Sequence, residues 1–282
     1  MGRLSMSKLD LGRQCLWWAR RNVSPPWVEM GEAAKEGVEA HRLLAAYLED
    51  GRVLFDEWEG CSPLSTSSPI ELFEWAEIPK GALAEVAFAF DAKTKDVRKL
   101  QLEGPRKYNL SYSEIGGTMD VVWVRDGVGY VRDWKTGGGW QPSPGNSGQL
   151  LAYALCVAKY WDVDQVDVGF LQPSRDRKES VVVDIFDLLD FADEMAGMIE
   201  RVDRAQPEPG SHCLGLWCPA VSICPATEEM RMRYTPPNMA EQYPARVVSA
   251  EEIQGNEHAS WLHQYLKLVE AAIGQARKAV DA

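Results

Sequence analysis

Two apolar stretches separated by a tight-turn signal form the clearest pattern in the chain. Segments 119–125 and 129–135 are rich in Val, Trp and Tyr, which favour β-strands. The Asp-Gly pair at 126–127 is a strong signal for a two-residue turn between them. The pattern therefore predicts a β-hairpin in which Arg125 lies opposite Val128, and a looser turn would shift this register by two residues.

The rest of the chain alternates between strand and helix periods, which predicts a mixed α/β protein. The helix predicted between the hairpin and the next strand implies a right-handed crossover and a parallel strand pair. The predicted elements are two helices within 1–50, core strands within 78–137, a helix at 147–161, strands at 163–171 and 179–187, an amphipathic helix at 188–205 and a final helix at 249–280. A Ser/Pro-rich loop at 59–70 and a Pro-rich stretch at 235–245 separate them.

The hairpin register brings chemistry onto one face of the sheet. Counting outwards from the turn places Asp120 opposite Asp133, with Lys135 on the same face. Opposed side chains stand about 5 Å apart at Cβ, so the two carboxylates repel each other unless a cation lies between them. Two oxygen donors suit Mg²⁺ or Mn²⁺, and the adjacent lysine suits phosphodiester hydrolysis. The alternative is a charged pair on a solvated hairpin face, with Lys135 neutralising Asp133.

These residues resemble the core of the PD-(D/E)XK nucleases, specifically the RecB-like branch. Members of that branch read G-x-x-D, then (D/E)-x-K-T-G, then Q-x-x-x-Y. The corresponding segments here are 117–120, 133–137, and Gln149 with Tyr153. The last two residues are four apart in a segment of helical period, so they share a helix face. The resemblance implies a restriction-endonuclease-like core, which is a mixed central sheet flanked by helices.

The resemblance also implies a role for each residue of this set. Asp120 and Asp133 would hold the metal ion, and Lys135 would position the nucleophilic water. Gln149 and Tyr153 would complete the catalytic set and help to place the DNA.

Two further residues become candidates through the same resemblance. The family carries a histidine on an upstream helix as a metal ligand, and His41 matches it on the helical stripe of Val38, Ala45 and Leu48. A lone histidine on such a stripe is more often a packed core residue. Family members often carry a glutamate in the strand before the aspartate, and Glu85 occupies that place in an alternating segment. The alternative for Glu85 is a solvent-facing strand residue.

Three of the six cysteines, Cys213, Cys218 and Cys224, lie close together. No signal peptide or membrane-length apolar run is visible, so we expect a cytoplasmic protein, where clustered thiols more often bind metal than form disulfides. Some RecB-like nucleases, including the AddB subunit and the CRISPR-associated adaptation exonucleases, hold a [4Fe–4S] cluster with one N-terminal and three C-terminal cysteines. That resemblance implies Cys15 as the fourth ligand. Four thiolates also suit Zn²⁺, and the x4 spacing after Cys213 is longer than the expected x2.

Such a cluster would act as a staple between the first helix and the region after the core. Closing so long a loop removes much conformational entropy from the unfolded chain. The alternative is a set of buried free thiols. Cys156 lies in an apolar helix and is expected in the core, and Cys61 receives no role.

Charge limits the way in which this chain contacts nucleic acid. A net charge of −12 argues against broad electrostatic wrapping of duplex DNA. Residues 1–25 are locally basic, and they interleave with Trp17, Trp18 and Trp27. This mixture suits single-stranded nucleic acid, although packing of the tryptophans on the core is the alternative.

Together these features predict a metal-dependent DNA exonuclease that prefers single strands or DNA ends, in recombination, repair or end processing. The chain resembles phage-encoded or stand-alone members, which would place it in the host cytoplasm. A catalytically silent DNA- or protein-binding module on the same fold and a structure-specific endonuclease are the alternatives. The nuclease domain is expected at 1–234 and a helical appendage, with a face that suits a protein partner, at 235–282.

Overall fold

The structure is a computed structural model that describes residues 4–21, 32–51, 68–101, 109–136, 141–210 and 224–226. The chain divides into two compact units. The larger unit comprises residues 4–10 and 30–200, and the smaller unit comprises residues 1–3, 11–29 and 201–282. The predicted final helix and the Pro-rich stretch before it lie outside the described residues.

A six-stranded mixed sheet forms the centre of the larger unit. Its order is β2-β1-β3-β4-β5-β6, and each neighbouring pair is antiparallel except the parallel β4–β5 pair. The strands are β1 (Leu83–Asp91), β2 (Val97–Lys99), β3 (Glu114–Arg125), β4 (Val128–Trp134), β5 (Gln165–Gln172) and β6 (Arg177–Asp184). The mixed α/β class and the parallel pair across the helical crossover are therefore confirmed.

The hairpin between β3 and β4 has the predicted register. Arg125 pairs with Val128, and the turn residues Asp126 and Gly127 have φ values of 52° and 77°. Two successive positive φ values suit a turn whose twist matches that of the flanking strands, and Asp-Gly tolerates them well.

The ends of the helices follow local capping signals. The helices of the described residues are α1 (Leu9–Gly12), α2 (Leu16–Arg21), α3 (Glu32–Asp50), α4 (Pro69–Trp75), α5 (Gly148–Trp161) and α6 (Ile185–Val202). Of these, α3, α4 and α5 belong to the larger unit and flank its sheet. Ser68 and Glu71 form a reciprocal capping box at the start of α4. Asp184 Oδ1 accepts hydrogen bonds from the backbone N–H groups of Phe186 and Asp187 at 2.9 and 3.1 Å. This cap starts α6 at residue 185, so the strand predicted to reach residue 187 ends at Asp184 instead.

Two layers of apolar side chains hold α3 and α5 to the sheet. On α3, Ala40, Leu43 and Leu44 join a buried cluster with strand residues that include Trp134. On α5, the ten positions from 148 to 158 other than Gln149 are buried. These apolar faces supply most of the stability of both helices, because short helices gain little from propensity alone.

The predicted N-terminal helix is broken into short pieces. A 3-10 turn at Met6–Lys8 leads into α1, which ends at Gly12, and α2 begins only at Leu16. Glycine has the lowest helix propensity apart from proline, which accounts for the break. Trp17 and Trp18 are buried, so the packing alternative holds for both, and neither ring is open to stack on a nucleic-acid base.

No helix among the described residues is long and apolar enough to cross a membrane.

Candidate metal centre and active site

Three potential metal ligands from three different elements meet in the larger unit. His41 comes from α3, Glu85 from β1 and Asp120 from β3, and one ligand atom of each lies within 4.8 Å of the others. Ligands of a divalent ion at about 2.0–2.6 Å from the metal stand roughly 3–5 Å from one another. The spacing of this His41–Glu85–Asp120 triad is therefore that of a metal site.

Asp120 is the residue that connects the triad to β4. Its Oδ1 atom lies 3.1 Å from His41 Nδ1, and its Oδ2 atom accepts a hydrogen bond from the backbone N–H of Trp134 at 2.8 Å. The Asp120 side chain is 5% exposed. A buried carboxylate requires such partners, because desolvation otherwise makes its charge very costly.

The ladder between β1 and β3 is interrupted where the triad forms. Ala84 pairs with Val121 and Val86 pairs with Met119, but the ladder skips Glu85 and Asp120 between them. Glu85 adopts φ 46°, in the left-handed region that a non-glycine residue rarely occupies within a strand. Such a conformation costs about 1–3 kcal/mol and is typical of functional sites. Glu85 is partly buried beside His41 and Asp120, so it is not an ordinary solvent-facing strand residue.

A second group of polar side chains surrounds Asp133 at the end of β4. Lys135 Nζ lies 2.7 Å from Asp133 Oδ2. Gln149 Nε2 donates to Asp133 Oδ1 at 2.8 Å, and Gln149 Oε1 accepts from Lys135 Nζ at 3.4 Å. Tyr153 Oη accepts from Gln149 Nε2 at 3.2 Å and donates to the carbonyl oxygen of Thr118 at 2.8 Å. The predicted shared face of Gln149 and Tyr153 is thus confirmed by direct contact.

The electrostatics of this group favour a charged lysine. Burial alone lowers the pKa of an ammonium, but the carboxylates of Asp133, Asp120 and Asp10 outweigh burial and raise the pKa of Lys135. Burial raises the pKa of Asp133, Lys135 partly opposes the rise, and the charge of Asp120 adds to it. A protonated Asp133 would be neutral and could not form an ion pair with the Lys135 ammonium. The 2.7 Å separation supports the charged form of Lys135 at neutral pH.

Close packing explains why the G-x-x-D segment contains glycine. A Cβ atom at Gly117 would lie 2.8 Å from both Met6 Cβ and Tyr153 Cε1. Only glycine therefore lets α5 approach β3 closely enough for Tyr153 to reach the Thr118 carbonyl.

The predicted site residues divide between the triad and the Asp133 group. By register Asp120 lies opposite Asp133, but the β3–β4 ladder ends one residue earlier at Val121 and Arg132. Asp133 is therefore near the triad without belonging to it, and Glu85 takes the third ligand place. A strand glutamate in an alternating segment gave only a weak signal for this role, because its left-handed backbone is not visible in sequence.

The environment of His41 also differs from the expected apolar stripe. Val38 is 57% exposed, and the buried residues of α3 include Ala40, Leu43 and Leu44. Of the His41 side chain, 18% is exposed. The prediction that His41 is a ligand is compatible with this position, and it stays a prediction.

Of the predicted cluster cysteines, Cys213 and Cys218 lie outside the described residues. Cys15 is a buried free thiol and Cys224 a partly buried one. The cluster therefore stays a prediction. Cys156 is fully buried in α5, as expected, and burial raises the pKa of its thiol.

The donor set of the triad fits a divalent ion. One imidazole nitrogen and two carboxylate oxygens suit Mn²⁺ and, with more water in the shell, Mg²⁺. Two buried acidic side chains, Asp120 and Asp133, lie beside one partly buried ammonium, Lys135, so an additional cation would offset the remaining negative charge.

Comparison with known proteins assigns the chain to a family. The chain belongs to the DUF2800 family, described as proteins of unknown function, whose profile matches residues 27–281. No curated protein matches the chain. Among solved structures it is similar to one titled "Crystal structure of SSO0001", with 18% identity over 71% of this chain and 89% of that chain. The TM-score of 0.34 is too low to establish a shared fold.

Proposed function

We propose that this protein is a metal-dependent deoxyribonuclease of the RecB-like PD-(D/E)XK type, acting as an exonuclease on single strands or DNA ends. One observation carries the proposal, and it concerns the buried Asp120. Asp120 belongs to the triad with His41 and Glu85. It also accepts a hydrogen bond from the backbone N–H of Trp134, the residue between Asp133 and Lys135. A solvated charged hairpin would need neither the burial of both aspartates nor ligands from α3 and β1.

The triad residues His41, Glu85 and Asp120 would hold Mg²⁺ or Mn²⁺. When bound, the ion supplies Lewis-acid stabilisation of the phosphate and a lowered pKa for a nearby water molecule. Asp133 lies within electrostatic reach of the same centre: burial raises its pKa, and the charges of Asp120 and His41 also act on it.

Lys135 would act as a charged donor and not as a base. Its raised pKa keeps the ammonium protonated at neutral pH. A fixed ammonium stabilises the negative charge that develops on a phosphate oxygen and orients the attacking water. Asp133 and Gln149 hold the ammonium from two directions, so little reorganisation is needed when the charge develops.

Gln149 and Tyr153 would support this arrangement from α5. Gln149 contacts both Asp133 and Lys135, and Tyr153 connects Gln149 to the β3 backbone. In the resembling family these positions help to place the DNA, which is the role proposed for them here.

The substrate preference is supported by the acidic net charge of −12, which favours contact with few phosphates. The burial of Trp17 and Trp18 leaves Trp27, which lies outside the described residues, as the aromatic part of the N-terminal argument. A [4Fe–4S] cluster held by Cys15, Cys213, Cys218 and Cys224, or Zn²⁺ at the same thiols, belongs to the proposal through the family resemblance.

Digestion of end-labelled DNA tests the proposal. Linear single strands, blunt duplex and circular single strands are incubated with Mg²⁺, Mn²⁺ or EDTA. The proposal expects cleavage of linear single strands with metal, no cleavage in EDTA, and no cleavage of the circular strand. Cutting of the circle would indicate an endonuclease, and an inert protein in every metal would indicate a binding module.

The Lys135→Ala variant separates chemistry from metal binding. It should lose cleavage while it still binds Mn²⁺ in a calorimetric titration, because Lys135 is not a ligand. The matched control is Lys178→Ala, since Lys178 contacts Glu77 and the Trp75 carbonyl away from the triad. Cleavage by Lys178→Ala should equal that of the wild type.

A further inference from the structure

The carboxylate of Asp10 is hydrogen-bonded to the start of α5. Asp10 Oδ1 accepts the backbone N–H of Gly148 at 2.6 Å, and Asp10 Oδ2 accepts the Ser147 hydroxyl at 3.0 Å. All three residues belong to the larger unit. The Asp10 carboxylate therefore satisfies a backbone donor that the helix itself leaves open, and its charge is favourable at a helix N-terminus.

The segment that carries Asp10 is fixed at several points. Ser5 forms a parallel bridge with Gly116 of β3, and Met6 packs against Gly117. A Cβ atom at Gly148 would lie 2.9 Å from Leu9 Cβ. Residues 4–10 thus bind to β3 at one end and to the start of α5 at the other, so Asp10 holds α5 against a rigid element.

The residue after this contact is Gln149, which bonds both Asp133 and Lys135. A shift at Gly148 is transmitted directly to Gln149, since the two are neighbours in the first turn of the same helix. Misplacement of about 1 Å costs up to roughly a hundredfold in rate at a catalytic site.

We propose that Asp10 is a positioning residue for the active site, which fixes the first turn of α5 and through it the side chain of Gln149. The inference rests on the proposed nuclease function. Asp10 is not a member of the triad, and its charge acts on Lys135 through space only. Its loss should change the rate of cleavage and leave metal affinity intact. Asp10→Asn loses that charge but keeps the hydrogen bonds, so it separates positioning from the charge effect.

Three variants test the role. Asp10→Ala removes both hydrogen bonds. Asp10→Asn keeps an oxygen for the Gly148 N–H and an amide that donates to the Ser147 hydroxyl. Asp184→Ala is the matched control, because it removes a comparable carboxylate cap from α6, whose capped residues Phe186 and Asp187 are not part of the site.

Single-turnover cleavage of single-stranded DNA in Mn²⁺ should fall roughly tenfold in Asp10→Ala, with Mn²⁺ affinity unchanged. Asp10→Asn should restore most of the rate. Asp184→Ala should keep the wild-type rate even where its melting temperature falls as far as that of Asp10→Ala. In a Gln149→Ala background, Asp10→Ala should lower the rate no further than Asp10→Asn does, since only the loss of the Asp10 charge near Lys135 remains.

A spectroscopic readout keeps this test independent of enzymatic activity. The side-chain amide resonances of Gln149, assigned by their loss in Gln149→Ala, should shift or broaden in Asp10→Ala and stay in place in Asp10→Asn and Asp184→Ala. A wild-type protein that cleaves no DNA would end the proposed function, while this spectrum would still decide the role of Asp10. Unchanged Gln149 resonances in folded Asp10→Ala, or additive rate losses in the double variant, would overturn it.

Discussion

The backbone N–H of Trp134 donates to Asp120 Oδ2 at 2.8 Å, so one oxygen of this carboxylate is bound to β4 while the other lies 3.1 Å from His41 Nδ1. This single side chain connects the last paired residues of the hairpin to the helix that carries the histidine. The β1–β3 ladder skips Asp120, and the β3–β4 ladder ends one residue short of it, at Val121. The strand pairing is therefore irregular at Asp120, the residue on which the proposed chemistry depends.

The strain at Glu85 gives a prediction about stability. Glu85→Gly and Glu85→Ala both remove the carboxylate, but only glycine accepts φ 46° without cost. Urea denaturation in EDTA should therefore give Glu85→Gly a free energy of unfolding about 1 kcal/mol above that of Glu85→Ala. Both variants should bind Mn²⁺ more weakly than the wild type. Equal stability of the two would show that the backbone at Glu85 is not strained.

The close approach at Gly117 gives a second prediction. Gly117→Ala places a methyl group against Met6 and Tyr153, so it should destabilise the protein by about 1–3 kcal/mol and lower the cleavage rate. Gly197 in α6 is the matched position, because a Cβ atom there meets nothing within 4 Å. Gly197→Ala should stabilise the protein by about 0.5–1 kcal/mol. Thermal melts of both variants decide the matter, and a harmless Gly117→Ala would contradict the packing described here.

Local signals were enough to predict the hairpin and much of the site. The Asp-Gly turn determined the pairing of Arg125 with Val128, and helical period put Gln149 and Tyr153 together. These features depend on neighbouring residues only. A turn type and a helix face are therefore accessible from sequence.

The contacts that sequence did not reveal are long-range or depend on irregular backbone. Glu85 is a weak candidate from sequence, because its context reads as regular alternation and its positive φ cannot be seen there. Asp10 lies 138 residues before Gly148, and no local pattern connects them. The predicted apolar stripe of α3 is wrong at Val38, which is exposed, and right at Leu48, which packs against the buried cluster, because tertiary packing decides which face is buried.

A buried carboxylate at the other end of β3 should make stability depend on pH. The side-chain hydrogen bond from Arg98 holds the pKa of Glu114 at about 2, well below its ordinary value. A carboxyl with a lowered pKa stabilises the fold above the pKa of the unfolded chain, near 4.3, and loses that contribution as the pH falls towards 2. Because Arg98 is half exposed, the contribution should be about 1–2 kcal/mol.

Urea denaturation at pH 7 and pH 3 checks this prediction. The wild type should lose more stability between these values than Glu114→Gln. Glu179→Gln is the control, since Glu179 forms a more exposed pair with Arg177. The same pH dependence in all three proteins would contradict the assignment.

The proposed [4Fe–4S] cluster would make the protein coloured. Anaerobically purified wild type should be brown, with about four irons per chain by the stoichiometry of a [4Fe–4S] cluster. Cys15→Ala should lose the colour and melt at a lower temperature, because it opens the staple, whereas Cys156→Ala should keep the colour. One zinc and no iron would replace the cluster with a zinc site. A metal-free protein that melts like Cys15→Ala would exclude both.

Cleavage of end-labelled single-stranded DNA in Mn²⁺ by the wild type and by Asp120→Asn tests the central claim most directly. Asp120 is the one residue shared by the triad and the contact to β4, and asparagine has nearly the same shape without the charge. We expect metal-dependent cleavage by the wild type. The cleavage rate of the variant should fall by more than about a hundredfold, which exceeds the loss typical of changing a residue that only contacts a metal ligand. The variant should melt no lower than the metal-free wild type, because carboxylate repulsion is relieved. Wild-type cleavage by Asp120→Asn, or cleavage by the wild type in EDTA, would contradict the account.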